Sequence, residues 1–298
     1  MRNVVVGLDG SDSSLNALEW AAETVGGDGR VHAVVGLNPW TRYIVDGVAG
    51  REVPYKEMLE RDLVTRWSAA ASSRIGELCT TVSVSTAAKA LDHIATADRA
   101  DAIVVGTHTS RRGMPARIGR TINHLIRITD HPVVVVPGRP PVGLDDGVVV
   151  VGIGHGNATR AAVRWAAHLA RERGVTVELL HATGGAPVFQ ADGVLDLARY
   201  EFGRDDPEAW ERGAIEHFAM LMETLVGEGS DVVVSTPPGM PAVRLDEASE
   251  RSAMLVLGRH RSVLDRGHHT AQPLRHALTH SRCPVAVIAD HPDWLLGE

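Results

Sequence analysis

The chain has 298 residues, of which 44% are hydrophobic and 22% charged, and its formal net charge is -7. This length favours two domains, and the composition is typical of a soluble globular α/β protein. Because the chain is acidic and has no lysine-rich tract, a nucleic-acid partner is not expected. No stretch reaches the roughly 18 apolar residues of a membrane span, and the N-terminus has no apolar signal-peptide core. We therefore expect a cytoplasmic protein without a membrane segment.

The first half of the chain alternates between apolar β-branched runs and segments with helical spacing. Strands are predicted at 4–8, 31–37, 81–85, 101–105 and 133–136. Helices are predicted at 15–25, 54–78, 87–99 and 120–129, with a long irregular loop at 38–53. For the first helix, Asp12, Ser13 and Ser14 all fit the N-cap position.

The second half repeats the first. Residues 149–167 align with residues 4–22 without a gap, which places Gly152 over Gly7 and Trp165 over Trp20. Further strands are predicted at 175–180, 231–235, 254–257 and 285–289, helices at 207–226 and 244–251, and a long loop at 181–204. A period of about 150 residues indicates duplicated domains rather than a solenoid. We assign the first domain to 1–138, a proline-stiffened linker to 139–147 and the second domain to 148–298.

This alternation of strands and helices predicts a doubly wound fold, in which a parallel sheet has helices on both faces. In this architecture ligands bind at the carboxyl ends of the strands, where the strand order reverses. The loops that follow the first strand at Asp9 and the fourth strand at Gly106 are the candidates to line that crevice.

Three segments carry a family resemblance: VVVGLDGSDSS at the start, IVVGTHTS with its loop to Gly119, and HPVVVVP at residues 131–137. With their looser copies in the second half, they make the chain resemble the universal stress protein family in its tandem form. The resemblance implies two Rossmann-like domains of the adenine nucleotide alpha hydrolase-like type, each with a five-stranded parallel sheet. It also implies that the last strands, 133–136 and 285–289, pair to form an intrachain pseudo-dimer, and it leaves a homodimer of whole chains open.

Nucleotide-binding members of that family carry the loop G-x2-G-x9-G-[S/T] after strand four and an acidic residue after strand one. Here Gly106 and Gly119 match the first and third glycines, while Thr109 replaces the second. Arg120 occupies the hydroxyl position and is followed by Thr121. A β-branched residue resists the positive φ that glycine permits, so Thr109 alters the loop.

The resemblance assigns a role to each candidate residue. The end of strand one, Gly7, Leu8 and Asp9, would face the adenine or ribose, and Val34 or Val35 would pack on the base. The loop and helix start, Gly106, Thr109, Gly119, Arg120 and Thr121, would hold the phosphates of ATP, with or without Mg²⁺. Two simpler interpretations remain open: Asp9 fits a helix-capping turn, and the two glycines fit tight turns without a ligand.

The second half has lost most of this motif. Gly154 stands where the aspartate was, Gly258 is kept, and Arg261, Ala271 and Gln272 occupy the remaining motif positions. We therefore expect no ATP binding in the second half.

No Ser-His-Asp order, paired carboxylates or metal-ligand spacing stands out, so neither a dedicated enzyme nor a metal site is expected. Cys79 and Cys283 fit no metal or redox spacing and are predicted to be buried or half-buried thiols. The leading hypothesis is a stress-response regulatory protein that binds ATP or a related adenine nucleotide in its first domain and contacts an unknown protein partner. The alternatives are an interaction scaffold that binds no nucleotide, and a protein that binds another small anion or signalling nucleotide through its arginines.

Overall fold

The computed structural model describes residues 1–38, 43–45, 52–107, 118–138, 144, 147–154, 157–182, 231–259 and 271–290. The chain divides into two compact units, Met1–Gly143 (unit 1) and Leu144–Glu298 (unit 2). Each unit contains a five-stranded parallel sheet with helices, which confirms the predicted α/β fold class.

Unit 1 runs through thirteen described elements. They are β1 (Asn3–Gly7), α1 (Asp12–Val25), β2 (Arg30–Gly36), β3 (Tyr43–Val45), β4 (Glu52–Pro54), α2 (Tyr55–Asp62), a π-helical turn (Leu63–Trp67), α3 (Ala69–Ser72), β5 (Glu77–Ser83), α4 (Ala87–Asp98), β6 (Ala102–Gly106), α5 (Arg120–Ile128) and β7 (Val133–Val136). The parallel sheet has the order β7-β6-β1-β2-β5, and β3 and β4 form a separate antiparallel pair. The strand order reverses between β1 and β6, which is the position where this architecture places ligands.

Unit 2 repeats this arrangement in its described elements. They are β8 (Val148–Gly152), α6 (Asn157–Arg173), β9 (Val177–Leu180), β10 (Val232–Ser235), α7 (Pro241–Ser249), β11 (Ser252–Arg259), α8 (Ala271–His280) and β12 (Val285–Ala289). The sheet order β10-β9-β8-β11-β12 matches that of unit 1 strand for strand. The helix predicted at 207–226 lies outside the described residues. The pairing of strands 133–136 and 285–289 stays a prediction.

The central strands of both sheets are covered on both faces, as their unbroken apolar runs predict. Val4, Val5 and Val6 have no exposed surface, and neither do Val149, Val150 and Val151 at the equivalent positions. Because successive strand side chains point to opposite faces, a strand with three buried residues in a row has helices on both sides. The loop after β1 therefore leaves a strand that is packed on both faces.

The largest error of the sequence analysis lies at 54–85. The predicted helix at 54–78 is broken by the π-helical turn and ends at Ser72, and β5 begins at Glu77 rather than at Thr81. β5 follows β2 in unbroken parallel register from Arg30↔Glu77 to Gly36↔Ser83. Pairing with β2 thus outweighs the weak strand propensity of the first β5 residues. The loop predicted at 38–53 also contains the short strands β3 and most of β4.

The N-cap of α1 is Ser11, not one of the three residues predicted. Its backbone is extended (φ -76°, ψ 153°), and its Oγ accepts a hydrogen bond from the Ser14 amide at 3.3 Å. This bond satisfies one of the amides that the first turn of a helix leaves without a partner.

Replacing Ser11 by alanine is expected to lower the free energy of unfolding of unit 1 by about 1 kcal/mol, because the cap bond is lost. Urea unfolding followed by circular dichroism measures the change. Asp12→Ala is the matched control, since Asp12 is exposed in the first turn and is not the cap residue. A larger loss for Asp12→Ala than for Ser11→Ala would contradict the assignment of the cap.

Candidate functional site

The two loops predicted to form the site leave the sheet side by side. β1 and β6 are parallel neighbours with Gly7 opposite Val105, so Leu8 and Gly106 follow at the same edge. The amide of Leu8 continues the sheet by donating to the carbonyl of Val34 on β2 (2.9 Å). The carboxyl ends of β1, β2 and β6 therefore meet at one edge, as the predicted crevice requires.

Asp9 has a defined place in the turn between β1 and α1. The carboxylate Oδ1 accepts from the Ser11 amide (3.0 Å) and from the Ser11 hydroxyl (2.5 Å). The Asp9 amide donates to the Ser14 hydroxyl at 3.4 Å. The aspartate thus serves the turn through Oδ1, while its side chain is exposed at the edge of the sheet. The two bonds from Ser11 hold the Asp9 carboxylate at the end of β1.

Gly106 is required by packing within the fold. A Cβ at this position would lie closer than 3.0 Å to the carbonyl of Ser13 and the amide nitrogen of Ser14. These are backbone atoms of the first turn of α1, so a side chain at 106 has no room whether or not a ligand is bound. In unit 2 a Cβ on Gly258 would collide in the same way with the backbone of Ala158 and Thr159. The survival of Gly258 therefore follows from helix packing.

Gly119 is different. It is the N-cap of α5 with φ -60° and ψ 151°, a conformation open to other residues, and no side chain caps the helix there. A Cβ at this position would meet no atom within 4 Å. Nothing in the described part of unit 1 requires a glycine at this position. Arg120 and Thr121, which open the helix, are exposed.

The remaining predicted residues have less exposed surface. Leu8, Val34 and Val35 are 4%, 1% and 5% exposed, so their side chains present little surface to a base. Gly7 lies against the side chains of Leu91 on α4 and Val105 on β6. Thr109 lies outside the described residues.

Unit 2 keeps the frame of this site without its chemistry. The Ile153 amide donates to Leu180 (2.8 Å) and the Gly154 amide to the Thr159 hydroxyl (3.3 Å), which repeats the Leu8–Val34 and Asp9–Ser14 bonds of unit 1. Gly154 has no carboxylate to offer a ligand, so the frame is present but the recognition group is not.

The end of β11 carries a buried charged side chain. Arg259, which follows Gly258, is only 4% exposed. Burial lowers the pKa of the Arg259 guanidinium, and the nearby charge of Asp290 acts in the opposite direction. A buried arginine at the position of Thr107 makes this edge of unit 2 unlike that of unit 1.

A polar cluster in unit 1 was missed by the sequence analysis. His32 on β2 bridges two neighbours: Nδ1 lies 2.6 Å from Asp98 Oδ2 at the end of α4, and Nε2 lies 2.8 Å from Thr81 Oγ1 on β5. Hydroxyl, imidazole and carboxylate stand in the order of a hydrolytic triad.

Unit 2 carries a polar cluster at the equivalent place, with other chemistry. Glu178 on β9 accepts from the Ser235 hydroxyl on β10 (2.6 Å) and from both terminal nitrogens of Arg251, just after α7 (2.5 and 2.8 Å). Glu178 precedes Leu180 by two residues, as His32 precedes Val34. The Glu178–Arg251 ion pair with the Ser235 hydroxyl contains no nucleophile–base pair. The role shared by both clusters is to tie a helix end to two strands.

The other described side chains form no metal site and no disulfide. In the ranges that the structure covers, no three His, Cys, Asp or Glu side chains are grouped to hold a metal ion. The rings of His276 and His280 stack at 4.2 Å. Cys79 is half-buried and Cys283 buried, as predicted, and burial raises the pKa of Cys283 to about 11.

None of the helices described combines the length and apolar character that a membrane span needs.

Comparison with known proteins agrees with this fold. The profile of the universal stress protein family matches residues 1–137 and 147–289. The universal stress protein Rv1996 of Mycobacterium tuberculosis is 27% identical over 306 residues, covering 95% of this chain and 94% of that protein. A universal stress protein from Archaeoglobus fulgidus DSM 4304 has a similar fold, with a TM-score of 0.66, 16% identity and coverage of 97% and 98% of the two chains. So does the cytoplasmic domain of a prokaryotic cation chloride cotransporter, with a TM-score of 0.53, 11% identity and coverage of 99% and 98%.

The profile matches both halves over nearly their whole length, and each half folds into the five-stranded parallel sheet expected from the resemblance. The chain therefore belongs to the universal stress protein family, in its tandem two-domain form.

Proposed function

We propose that the protein is a non-enzymatic stress-response regulator whose unit 1 binds ATP or a related adenine nucleotide, and whose nucleotide occupancy alters its contact with a protein partner. The observation that carries the proposal is Gly119: a glycine that no described neighbour requires, at the N-terminus of α5, where no described side chain caps the helix. Helix N-termini of this kind bind phosphate through their amide groups and dipole.

Asp9 supports the same proposal from the other side of the site. Its Oδ1 is held by Ser11, which fixes the carboxylate plane at the end of β1. A fixed carboxylate accepts hydrogen bonds from the amino group of adenine or from a ribose hydroxyl. Mg²⁺ would enter with the phosphates. Because no nucleophile–base pair faces this edge among the described residues, we propose no catalytic turnover.

Calorimetric titration of ATP with Mg²⁺ into the full chain tests the proposal. Asp9→Asn is the sharpest variant, because asparagine keeps the size of the side chain and an acceptor for Ser11 but removes the negative charge. We expect at least about a tenfold loss of affinity, which corresponds to one misplaced hydrogen bond to a charged group. A similar loss is expected for Gly119→Val, where the side chain fits the free protein but fills the approach to the helix.

Gly27→Val is the matched glycine control. A Cβ on Gly27 also meets no atom within 4 Å, but Gly27 lies in the turn before β2, at the opposite end of the strands. This variant should bind like the wild type. No heat at millimolar ATP would reject the proposal, and binding that survives both site variants would place the ligand elsewhere.

The second candidate is an interaction scaffold of the same family that binds no nucleotide. Two observations favour it: the motif substitutions Thr109 and Arg120, and the burial of Val34 and Val35 where the base would pack. The calorimetric result separates the two candidates, since a scaffold gives no heat with any adenine nucleotide.

A further inference from the structure

The turn after Asp9 is covered by an aromatic side chain that the family motif does not include. Trp67 ends the π-helical turn Leu63–Trp67, where the Ser68 amide donates to the Leu63 carbonyl five residues back (3.0 Å). Such π-turns insert one extra residue, which rotates the following side chains, and they occur frequently at functional sites.

Gly10 is shaped to receive this indole. It has φ +79°, in the left-handed region that favours glycine. A Cβ at Gly10 would lie closer than 3.0 Å to Cζ2 and Cε2 of Trp67. The indole therefore packs directly on the Gly10 backbone, one residue from the Asp9 carboxylate.

The indole keeps a polar edge available for a ligand. Trp67 is only half-buried. The Nε1 atom of Trp67 is not buried without a partner. None of the described residues accepts a hydrogen bond from it. An N–H donor and part of an aromatic face therefore remain accessible beside Asp9. Aromatic faces stack on nucleobases whatever the base, and indole N–H is a donor only.

From this geometry we infer that Trp67 is a binding residue of the nucleotide site: its indole covers the Asp9–Gly10 turn and contacts the adenine–ribose portion of the ligand. The inference rests on the proposed function and extends it. It also links occupancy to the segment formed by α2, the π-turn and α3, because the residue that touches the ligand belongs to that segment.

Trp67→Phe and Trp67→Leu test the inference in the full chain, with ATP and Mg²⁺ as the probe. Phenylalanine keeps a ring on Gly10 but removes the N–H donor and part of the aromatic surface. We expect Trp67→Phe to weaken ATP binding about fivefold and Trp67→Leu more than tenfold. ATP should change the tryptophan fluorescence of the wild type, and Trp67→Phe should abolish that change.

Trp165→Phe is the spectroscopic control, because Trp165 lies buried in unit 2, and it should keep both the affinity and the fluorescence response. A purely structural role for Trp67 would lower the unfolding midpoint of both variants without changing the affinity of the folded protein, and this result would overturn the inference. So would a fluorescence response that survives Trp67→Phe. If wild-type protein gives neither heat nor a fluorescence change with ATP, the proposed function itself fails, and this inference fails with it.

Discussion

Gly106→Ala is expected to destabilise unit 1 by about 3 kcal/mol, and Gly258→Ala to destabilise unit 2 by a similar amount. The reason is the same in both units: the added methyl group collides with a backbone carbonyl in the first turn of α1 or α6. A flexible side chain would move aside, but a carbonyl in a hydrogen-bonded helical turn moves only with its helix. Each substitution therefore separates a helix from the strand that it packs against.

The measurement is urea unfolding of the full chain without nucleotide, followed by circular dichroism and by tryptophan fluorescence. Gly119→Ala is the matched control from the same motif, with an expected change within about 0.5 kcal/mol. The prediction is wrong if Gly106→Ala leaves the unfolding midpoint unchanged, or if Gly119→Ala costs as much. The comparison of Gly106 with Gly258 is informative by itself, because only unit 1 is proposed to bind a ligand.

The second large effect concerns Glu178. The guanidinium of Arg251, and then the hydroxyl of Ser235, hold the pKa of this buried carboxyl below its usual value. A carboxyl with a lowered folded-state pKa stabilises the protein above its unfolded-state pKa, and that contribution is lost as the pH falls through the folded-state pKa. We expect Glu178→Gln to destabilise unit 2 by about 2 kcal/mol at neutral pH, because Arg251 loses a bidentate partner. The exposure of Arg251, 53% for its side chain, keeps the effect from being larger.

The free energy of unfolding should be measured from pH 7 into the acid range for both proteins. The difference between wild type and Glu178→Gln should shrink below the usual range of carboxyl pKa values, since the wild-type carboxyl is then protonated as well. Glu247→Gln is the control: its pair with Arg244 (2.6 Å) is on the surface, with Glu247 58% exposed. Surface pairs contribute at most about 1 kcal/mol. An equal loss for both variants would show that burial of Glu178 contributes nothing.

Strands with no exposed face were the easiest elements to predict. The β-branched runs at β7 and β12 were placed residue for residue, because such runs have few alternatives in an α/β chain. β5 was misplaced, because its first residues are strand only through pairing with β2. The π-turn could not be predicted either, since its sequence LVTRW also fits an ordinary helix.

The polar clusters show a second limit of sequence reasoning. Nothing around His32 in sequence indicates that Thr81 and Asp98 will meet it, since their contacts span 49 and 66 residues. The duplication contained a clue that was not used: His32 and Glu178 are both polar residues at the same place in otherwise apolar strands. A polar residue at the same place in the strands of both copies predicts hydrogen-bond partners in both.

Within the candidate site, the sequence placed Asp9 and Gly106 at one edge but left their roles open. The structure shows that Gly106 has a packing role, and that Oδ1 of Asp9 accepts hydrogen bonds within its turn. Trp67 could not be predicted as a site residue from the sequence. Its position beside Asp9 depends on a π-turn and on the positive φ of Gly10.

The packing at Gly106 and Gly258 has a consequence for how duplicated chains of this family are interpreted. The first motif glycine is required by helix packing in both units, so its presence alone does not indicate a ligand site. The third motif glycine, Gly119, has no such packing requirement among the described residues, and in unit 2 its position is occupied by Ala271. The first glycine therefore does not tell a binding copy from a non-binding one, whereas the third glycine and the aspartate after strand one are the positions that would distinguish them.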